Sequence, residues 1–226
     1  MRIACSFSSA HPIEVQWHHT MMVHGGTIGP LVFLAVFMIA GWLRPGYRAR
    51  RHYISTLSTG PRGWVQIANF VQCGVLVLCG AIAMHDAGAV RWLLGIHAIG
   101  LILAGVFVTD AVVTSAPSDY ATRLAAPGSR AAMLHNLASA VVFSSLCAAM
   151  CVVMVRSARA GRADWAVGSS VALVGVVAGF AVNGALLKAE VEGKIANAPL
   201  GAYQRLAVIS GWSWVAAISA HAAGAW

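Results

Sequence analysis

Residues 93–113 read LLGIHAIGLILAGVFVTDAVV, a stretch in which Asp110 is the only charged side chain. About 20 apolar residues, at a rise of 1.5 Å per residue, cross the roughly 30 Å hydrocarbon core of a bilayer. The stretch therefore predicts a membrane-spanning helix. Because the apolar runs are continuous rather than alternating, they predict helices and not the strands of a barrel. There are six such runs, at about residues 23–43, 64–84, 91–113, 133–155, 165–187 and 204–224.

The composition agrees with a membrane protein and excludes a soluble domain. The chain has 226 residues, of which 59% are hydrophobic and 10% charged, and its mean hydropathy is +0.74. A soluble chain would carry about 25% charged residues. We predict an all-α integral membrane bundle of six transmembrane helices over residues 23–226. A polar, His-containing segment, residues 1–22, precedes it, and Pro12 is suited to begin a short interfacial helix there.

The net charge of +8 does not indicate a nucleic acid partner, because the positive side chains lie mainly between the spans. Spans alternate in direction, so their connections fall into two groups. The loops 44–63, 114–132 and 188–205 carry ten Lys and Arg, and the remaining connections and termini carry five. Positive residues favour the cytoplasmic side, so we predict both termini outside and the Arg-rich first loop inside. Three arginines in the 156–164 loop argue against this orientation. Membrane lipids, including anionic ones at the first loop, are the expected partners.

Alternation of the spans also gathers polar side chains at one end of the bundle. Asp110 is costly in hydrocarbon without a partner, and Arg205 is the expected ion-pair partner. His135 opens the fourth span and is expected to contact Asp110, because a short connection keeps the third and fourth spans adjacent. Ser55 and Ser58 add hydroxyls from the first loop. These side chains suit nucleophilic or acid–base catalysis, a proton relay, a metal site or a hydrogen-bonded structural plug. The same end also holds His52, Asn136, Asn183, Lys188 and Gln204.

Histidines dominate the opposite end. No HxxxH or HExxH motif occurs, so interfacial or packing roles are expected for most of them, and no cofactor is predicted. His97 precedes Asp110 by thirteen residues, about 20 Å along a helix, so these two side chains belong to different sites. The weak candidates for a metal site are Glu14, His18, His24, His97 and His221.

Four motifs resemble the domain-of-unknown-function 998 family of small multi-pass membrane proteins. They are HYISTLSTGPRGW, GVFVTD, HNLASAVVF and GAYQRLAVISGWSW, and the resemblance covers about residues 25–224. It implies no particular activity. The chain departs from the family in lacking a Pro near GVFVTD and in its His-rich N-terminal segment. The site residues that the resemblance implies are Ser55, Ser58, Asp110, His135 and Arg205.

Two classes of function stay open. The first is an intramembrane enzyme acting on a lipid or isoprenoid-like substrate, with Asp110 as general acid or base tuned by His135 and Arg205. Its reaction would be terpene-cyclase-like, begun by protonation, or hydrolase-like. The second is a non-enzymatic small transporter, sensor or membrane assembly partner, although the two halves of the chain show no inverted repeat that would favour transport.

Overall fold

The computed structural model describes residues 12–111 and 120–224, and this part of the chain is helical apart from the connections between helices. Six of its helices are long and apolar enough to cross a membrane, which confirms the six predicted spans. The short α4 is not one of them. The helices are α1 Pro12–Leu43, α2 Gly63–Ala83, α3 Ala89–Val106, α4 Tyr120–Ala125, α5 Arg130–Arg159, α6 Ala163–Val191 and α7 Leu200–Gly224, with 3₁₀ helices at Ile54–Ser58 and His85–Ala87.

The six long helices form a closed ring. Each packs against the spans that precede and follow it, and α7 closes the ring against α1. Short connections keep α2 beside α3, α5 beside α6 and α6 beside α7. Residues 44–62 form a longer loop between α1 and α2, which nevertheless pack together. Side chains that point into the ring form one buried core, which includes Phe33, Leu101, Leu146 and Trp212. Apolar side chains on the outside, such as Val171, stay exposed and suit a hydrocarbon environment.

Glycines set the distance between several neighbouring helices. A Cβ atom at Gly74 of α2 would lie 2.7 Å from the Ala98 carbonyl oxygen of α3. A Cβ atom at Gly179 of α6 would lie 2.8 Å from the Tyr203 carbonyl oxygen of α7. Such distances are shorter than van der Waals contact, so any side chain there would push the helices apart. Small residues at these crossings allow the close packing that holds helices together in lipid.

The third span ends earlier than the sequence predicts. α3 ends one residue before Phe107, and the residues that follow it up to position 111 are not helical. The His135 ring of α5 lies at this helix end, with Nδ1 2.8 Å from the Ala104 carbonyl oxygen and 2.9 Å from that of Phe107. It therefore satisfies carbonyl groups that a helix end leaves without partners. Asp110 consequently lies outside the membrane-spanning segment, which corrects the predicted boundary at residue 113.

Candidate ligand site at the loop end

The end of the ring that carries residues 44–62, called the loop end from here on, is closed by a buried ion pair. Arg51 Nη1 lies 2.5 Å from Glu190 Oε2, Arg51 Nη2 lies 2.5 Å from Glu190 Oε1, and both side chains are 6% exposed. Glu190 also accepts hydrogen bonds of 3.1 Å from the backbone N–H groups of Asn197 and Ala198. Bidentate pairs of this kind are short and geometrically specific, so this one fastens the first loop to the end of α6.

Arg205 holds the first loop to α7. Its Nη1 donates to the carbonyl oxygen of His52 at 3.0 Å, and its guanidinium also donates to the Ala49 carbonyl and the Tyr47 hydroxyl. Among the described residues, which include both side chains, no ion pair joins Asp110 to Arg205. The predicted pair is wrong because carbonyl oxygens of the folded first loop, and not a carboxylate, surround the guanidinium.

Asp110 is an exposed residue beside the start of α5. Its Oδ2 accepts the Ser129 N–H at 2.7 Å, and its Oδ1 accepts the Ser129 hydroxyl at 2.6 Å. The Ser129 hydroxyl in turn caps α5 by accepting from the Ala132 N–H at 3.2 Å. The bonds from the hydroxyl and the backbone of Ser129 hold the pKa of Asp110 below its usual range. No hydrogen bond joins Asp110 to His135 in the described structure, so the predicted contact between them is replaced by this cap.

The His135 ring is buried and has a defined tautomer. Its Nδ1 faces the two carbonyl oxygens at the end of α3. Because carbonyl oxygens only accept hydrogen bonds, Nδ1 carries a proton, and in the neutral form of the ring Nε2 is the acceptor. The ring also meets Phe70 edge-on, with 6.0 Å between centroids. His135 is therefore positioned by its backbone partners, with Nε2 as its basic atom.

A cavity of about 420 Å³ opens inside the ring beside His135. This volume falls within the range of roughly 300–1,000 Å³ that is usual for small-molecule sites. Asn136, Ala140 and Ser144 of α5 line it and are exposed, and their spacing covers about 12 Å of the helix. We call this cavity the α5 crevice, because it follows α5. It opens at the outer surface of the bundle beside exposed residues of α5, which is one of the six helices able to span a membrane.

Aromatic rings form a continuous band along the wall of the α5 crevice. The band begins on α6, crosses the interior of the ring and ends at the histidine of α5, and it therefore presents a wide apolar surface with one basic group at its end. Consecutive ring centroids lie 4.4 to 6.0 Å apart, in the order Phe180, Phe143, Trp212, Phe33, Phe70 and His135.

Polar side chains close the α5 crevice at the loop end. The Tyr53 hydroxyl donates to Asn183 Oδ1 at 2.5 Å, and the Tyr53 N–H donates to the Tyr120 hydroxyl at 2.7 Å. Gln204 Oε1 accepts the Ile54 N–H at 2.7 Å. Burial raises the pKa of the Tyr53 hydroxyl to about 12, so it stays protonated and acts as a donor. Tyr53 and Gln204 both line the crevice, which thus has an apolar body and a fixed polar end.

The two predicted serines lie in different surroundings. Ser55 lines the α5 crevice. Ser58 is 5% exposed, does not line the crevice, and its hydroxyl makes no hydrogen bond within the described residues. Sequence reasoning missed the pairing of Arg51 with Glu190 and the role of Tyr53. One available signal was that Glu190 is the first carboxylate after the fifth apolar run.

The described metal candidates, His24, His97 and His221, form no cluster of three possible ligands. His97 is buried, with Nδ1 3.1 Å from the Val142 carbonyl oxygen and its edge toward Trp212. His221 is exposed near the other end of α7, beside Trp165 and 2.7 Å from an Arg162 nitrogen. The structure describes His24 as exposed, and the side chains of Glu14 and His18 lie outside the described residues. In the part of the chain that is described, no three His, Cys, Asp or Glu side chains form a possible metal site.

The six long apolar helices define a multi-pass helical membrane protein. Residues 27–221 match the model of the protein family described as "Protein of unknown function (DUF998)", and the chain belongs to this family. The predicted resemblance is thereby confirmed. Searches of curated proteins and of solved structures gave no match.

Proposed function

We propose that this protein binds a hydrophobic molecule with a polar end, of the lipid or isoprenoid class, in the α5 crevice. The observation that carries the proposal is the crevice itself, which joins an aromatic interior to a polar end and opens within a membrane-spanning segment. An apolar chain would lie against Phe143 and Trp212, and the polar end would meet Ser55 and Gln204. A ligand dissolved in the membrane could enter from the side, past the exposed face of α5.

We further propose that His135 is the acid–base group of this site. Its Nδ1 proton is held by backbone carbonyls, so Nε2 is the atom able to take a proton from a bound molecule. Asp110 does not line the crevice, and its two oxygens are engaged by Ser129. The acid–base role first assigned to Asp110 therefore passes to His135, and Asp110 acts in capping α5.

Obstruction of the crevice tests the binding proposal. Ala140 is exposed, lines the crevice and lies ten residues from the loop end of α5. Ala181 is also exposed and lies ten residues from the loop end of α6, but it does not line the crevice. We expect Ala140→Trp to abolish retention of hydrophobic molecules that copurify with the protein, as measured by mass spectrometry of solvent extracts. Ala181→Trp should retain them. Equal retention by both variants would contradict the proposal.

A second comparison separates binding from chemistry. In His135→Asn the amide nitrogen can replace Nδ1 as donor to the α3 carbonyls, but the basic Nε2 is lost. We expect this variant to retain the ligand, while the chemically altered form of the ligand, its product, disappears from membrane lipid extracts of expressing cells. Asp110→Asn should leave both ligand and product unchanged. Loss of product in Asp110→Asn, with normal product in His135→Asn, would return the catalytic role to Asp110.

A further inference from the structure

A second groove lies on the outside of the ring at the loop end, between α1 and α2. It has a volume of about 270 Å³, and its walls are mainly aliphatic. Val36, Ile39 and Leu43 line one side along α1, and Val65 lines the other side on α2. Ile39 and Leu43 are 55% and 54% exposed. These side chains run along about 10 Å of α1, so the groove has the length and surface that suit the upper part of an acyl chain.

Two arginines stand at the polar end of this groove. Arg44 Nη1 donates to the carbonyl oxygens of Thr56 and Leu57 at 3.1 Å each, which fixes the guanidinium while its other nitrogens make no further hydrogen bond within the described residues. Arg62 is exposed at the start of α2, where the helix dipole adds positive potential. No carboxylate occurs from residue 36 to residue 66. The groove therefore combines an apolar body with an uncompensated positive mouth.

The depth of the mouth matches the headgroup region of a bilayer. Trp42 and Trp64 are 85% and 68% exposed and adjoin the lining residues Leu43 and Val65 in sequence. Such exposure is expected for tryptophans at a membrane interface. Gln66 lines the groove four residues beyond Arg62, about 6 Å along the helix. It is fully buried, and its Nε2 makes no hydrogen bond within the described residues. A donor at this depth, below two arginines, is placed for the ester carbonyl of a glycerophospholipid.

We propose that the groove between α1 and α2 is a binding site for one anionic diacyl phospholipid. Arg44 and Arg62 bind its phosphate, Gln66 donates to an ester carbonyl, and an acyl chain occupies the aliphatic groove. The arginine charges select an anionic headgroup over a zwitterionic one, because the positive charge of a choline group would lie against the same arginines. This site is separate from the α5 crevice, which lies on the interior side of the ring.

Lipid retention by the full chain tests the proposal. The protein is reconstituted in nanodiscs of equimolar phosphatidylcholine and phosphatidylglycerol with identical acyl chains, extracted in mild detergent, and its bound lipids are counted by native mass spectrometry. We expect retained phosphatidylglycerol. Arg62→Gln should weaken its retention about fivefold, the effect of one basic residue near a membrane surface. Arg50→Gln is the matched control, because Arg50 is exposed in the same loop but does not line the groove.

Two alanine-to-phenylalanine variants, one inside the groove and one outside it, provide an independent test. Ala40 lines the groove, whereas Ala68 is exposed on α2 outside it. Ala40→Phe should remove phosphatidylglycerol retention, and Ala68→Phe should preserve it. The Arg62 side chain is exposed and makes no hydrogen bond within the described residues, so Arg62→Gln is expected to fold. The result for Arg62→Gln therefore tests the proposal even where Ala40→Phe fails to fold. Equal retention of phosphatidylcholine, equal losses in Arg62→Gln and Arg50→Gln, or no loss in Arg62→Gln would each overturn the proposal.

Discussion

His52 is a buried histidine among arginines, and its ring is kept neutral by these surroundings. Its Nδ1 accepts the Arg48 N–H at 3.1 Å, and its ring packs against Tyr47 and Tyr120. Burial, followed by the positive charges of Arg51 and its neighbours, lowers the pKa of His52 to about 4. At neutral pH the ring is therefore an acceptor that helps to shape the first loop.

The lowered pKa predicts a pH dependence of stability. An unfolded histidine has a pKa of about 6.5, so between pH 6.5 and 4 the unfolded chain binds more protons at His52 than the folded chain does. Stability consequently falls as the pH is lowered through this window. We expect thermal unfolding in detergent to show a steeper drop in Tm from pH 7 to pH 5 for the natural protein than for His52→Asn, whose Oδ1 can replace Nδ1. Parallel curves would contradict this explanation.

The buried carboxylate of Glu190, which pairs with Arg51, is expected to contribute strongly to the free energy of unfolding. Glu190→Gln would leave Arg51 buried without its counter-charge, and breaking such a pair costs about 3 kcal/mol or more. We expect the free energy of unfolding of Glu190→Gln, measured by titration with SDS, to fall by about this amount.

The matched control for this prediction is Glu192→Gln. Glu192 is 37% exposed and pairs with Lys194, which is 71% exposed. Exposed pairs contribute less than about 1 kcal/mol, so this variant should unfold almost like the natural protein. Equal losses for Glu190→Gln and Glu192→Gln would show that burial of the Arg51 pair has no special effect.

At the scale of the helices, the contact between α6 and α7 depends on the absence of a side chain. A methyl group at Gly179 would meet the Tyr203 carbonyl oxygen at 2.8 Å and the Ala207 nitrogen at 2.9 Å. Both are backbone atoms, so neither can move without shifting α7. We expect Gly179→Ala to destabilise the protein by about 1–3 kcal/mol, the usual cost of overpacking.

Gly184 provides the control on the same helix. A Cβ atom there would have nothing within 4 Å. Gly184→Ala should therefore leave the SDS unfolding midpoint unchanged or raise it, because alanine favours the helix by about 1 kcal/mol. A lower midpoint for Gly184→Ala than for Gly179→Ala would contradict the assigned helix contact.

At the scale of the whole molecule, the ring places the described residues of all three of the more positive loops at the loop end. Two of the three arginines that argue against the predicted orientation have structural partners at the other end. Arg156 donates to the Ala87 carbonyl at 3.2 Å, and Arg162 lies against His221. These contacts give a reason for their presence that is independent of orientation, so we maintain the prediction that the loop end is cytoplasmic.

Cysteine labelling in intact cells tests this orientation. In a Cys5→Ser background, Lys194→Cys introduces a thiol in an exposed loop at the loop end, and Ala160→Cys introduces one at the opposite end. We expect a membrane-impermeant maleimide to label the Ala160→Cys variant in intact cells and the Lys194→Cys variant only after permeabilisation. The reverse pattern would show that the loop end is outside.

The six spans, their alternation and the gathering of polar side chains at the loop end all follow from the amino-acid sequence. The length and continuity of an apolar run are local properties of the sequence. They are sufficient to locate a span, because charged groups are costly in hydrocarbon and therefore interrupt such a run. Family membership also follows from the sequence, since residues 27–221 match the family model.

The partners of the polar groups, by contrast, depend on how the chain folds. Asp110 and Arg205 were expected to pair because both are costly alone, but Arg205 binds loop carbonyls and Asp110 binds Ser129. Arg51 instead pairs with Glu190, 139 residues away. Several partners at one end of a bundle can satisfy each charge, and the path of the connecting chain selects among them. The α5 crevice has the same origin, because its walls come from all six long helices and from the first loop, which are far apart in the sequence.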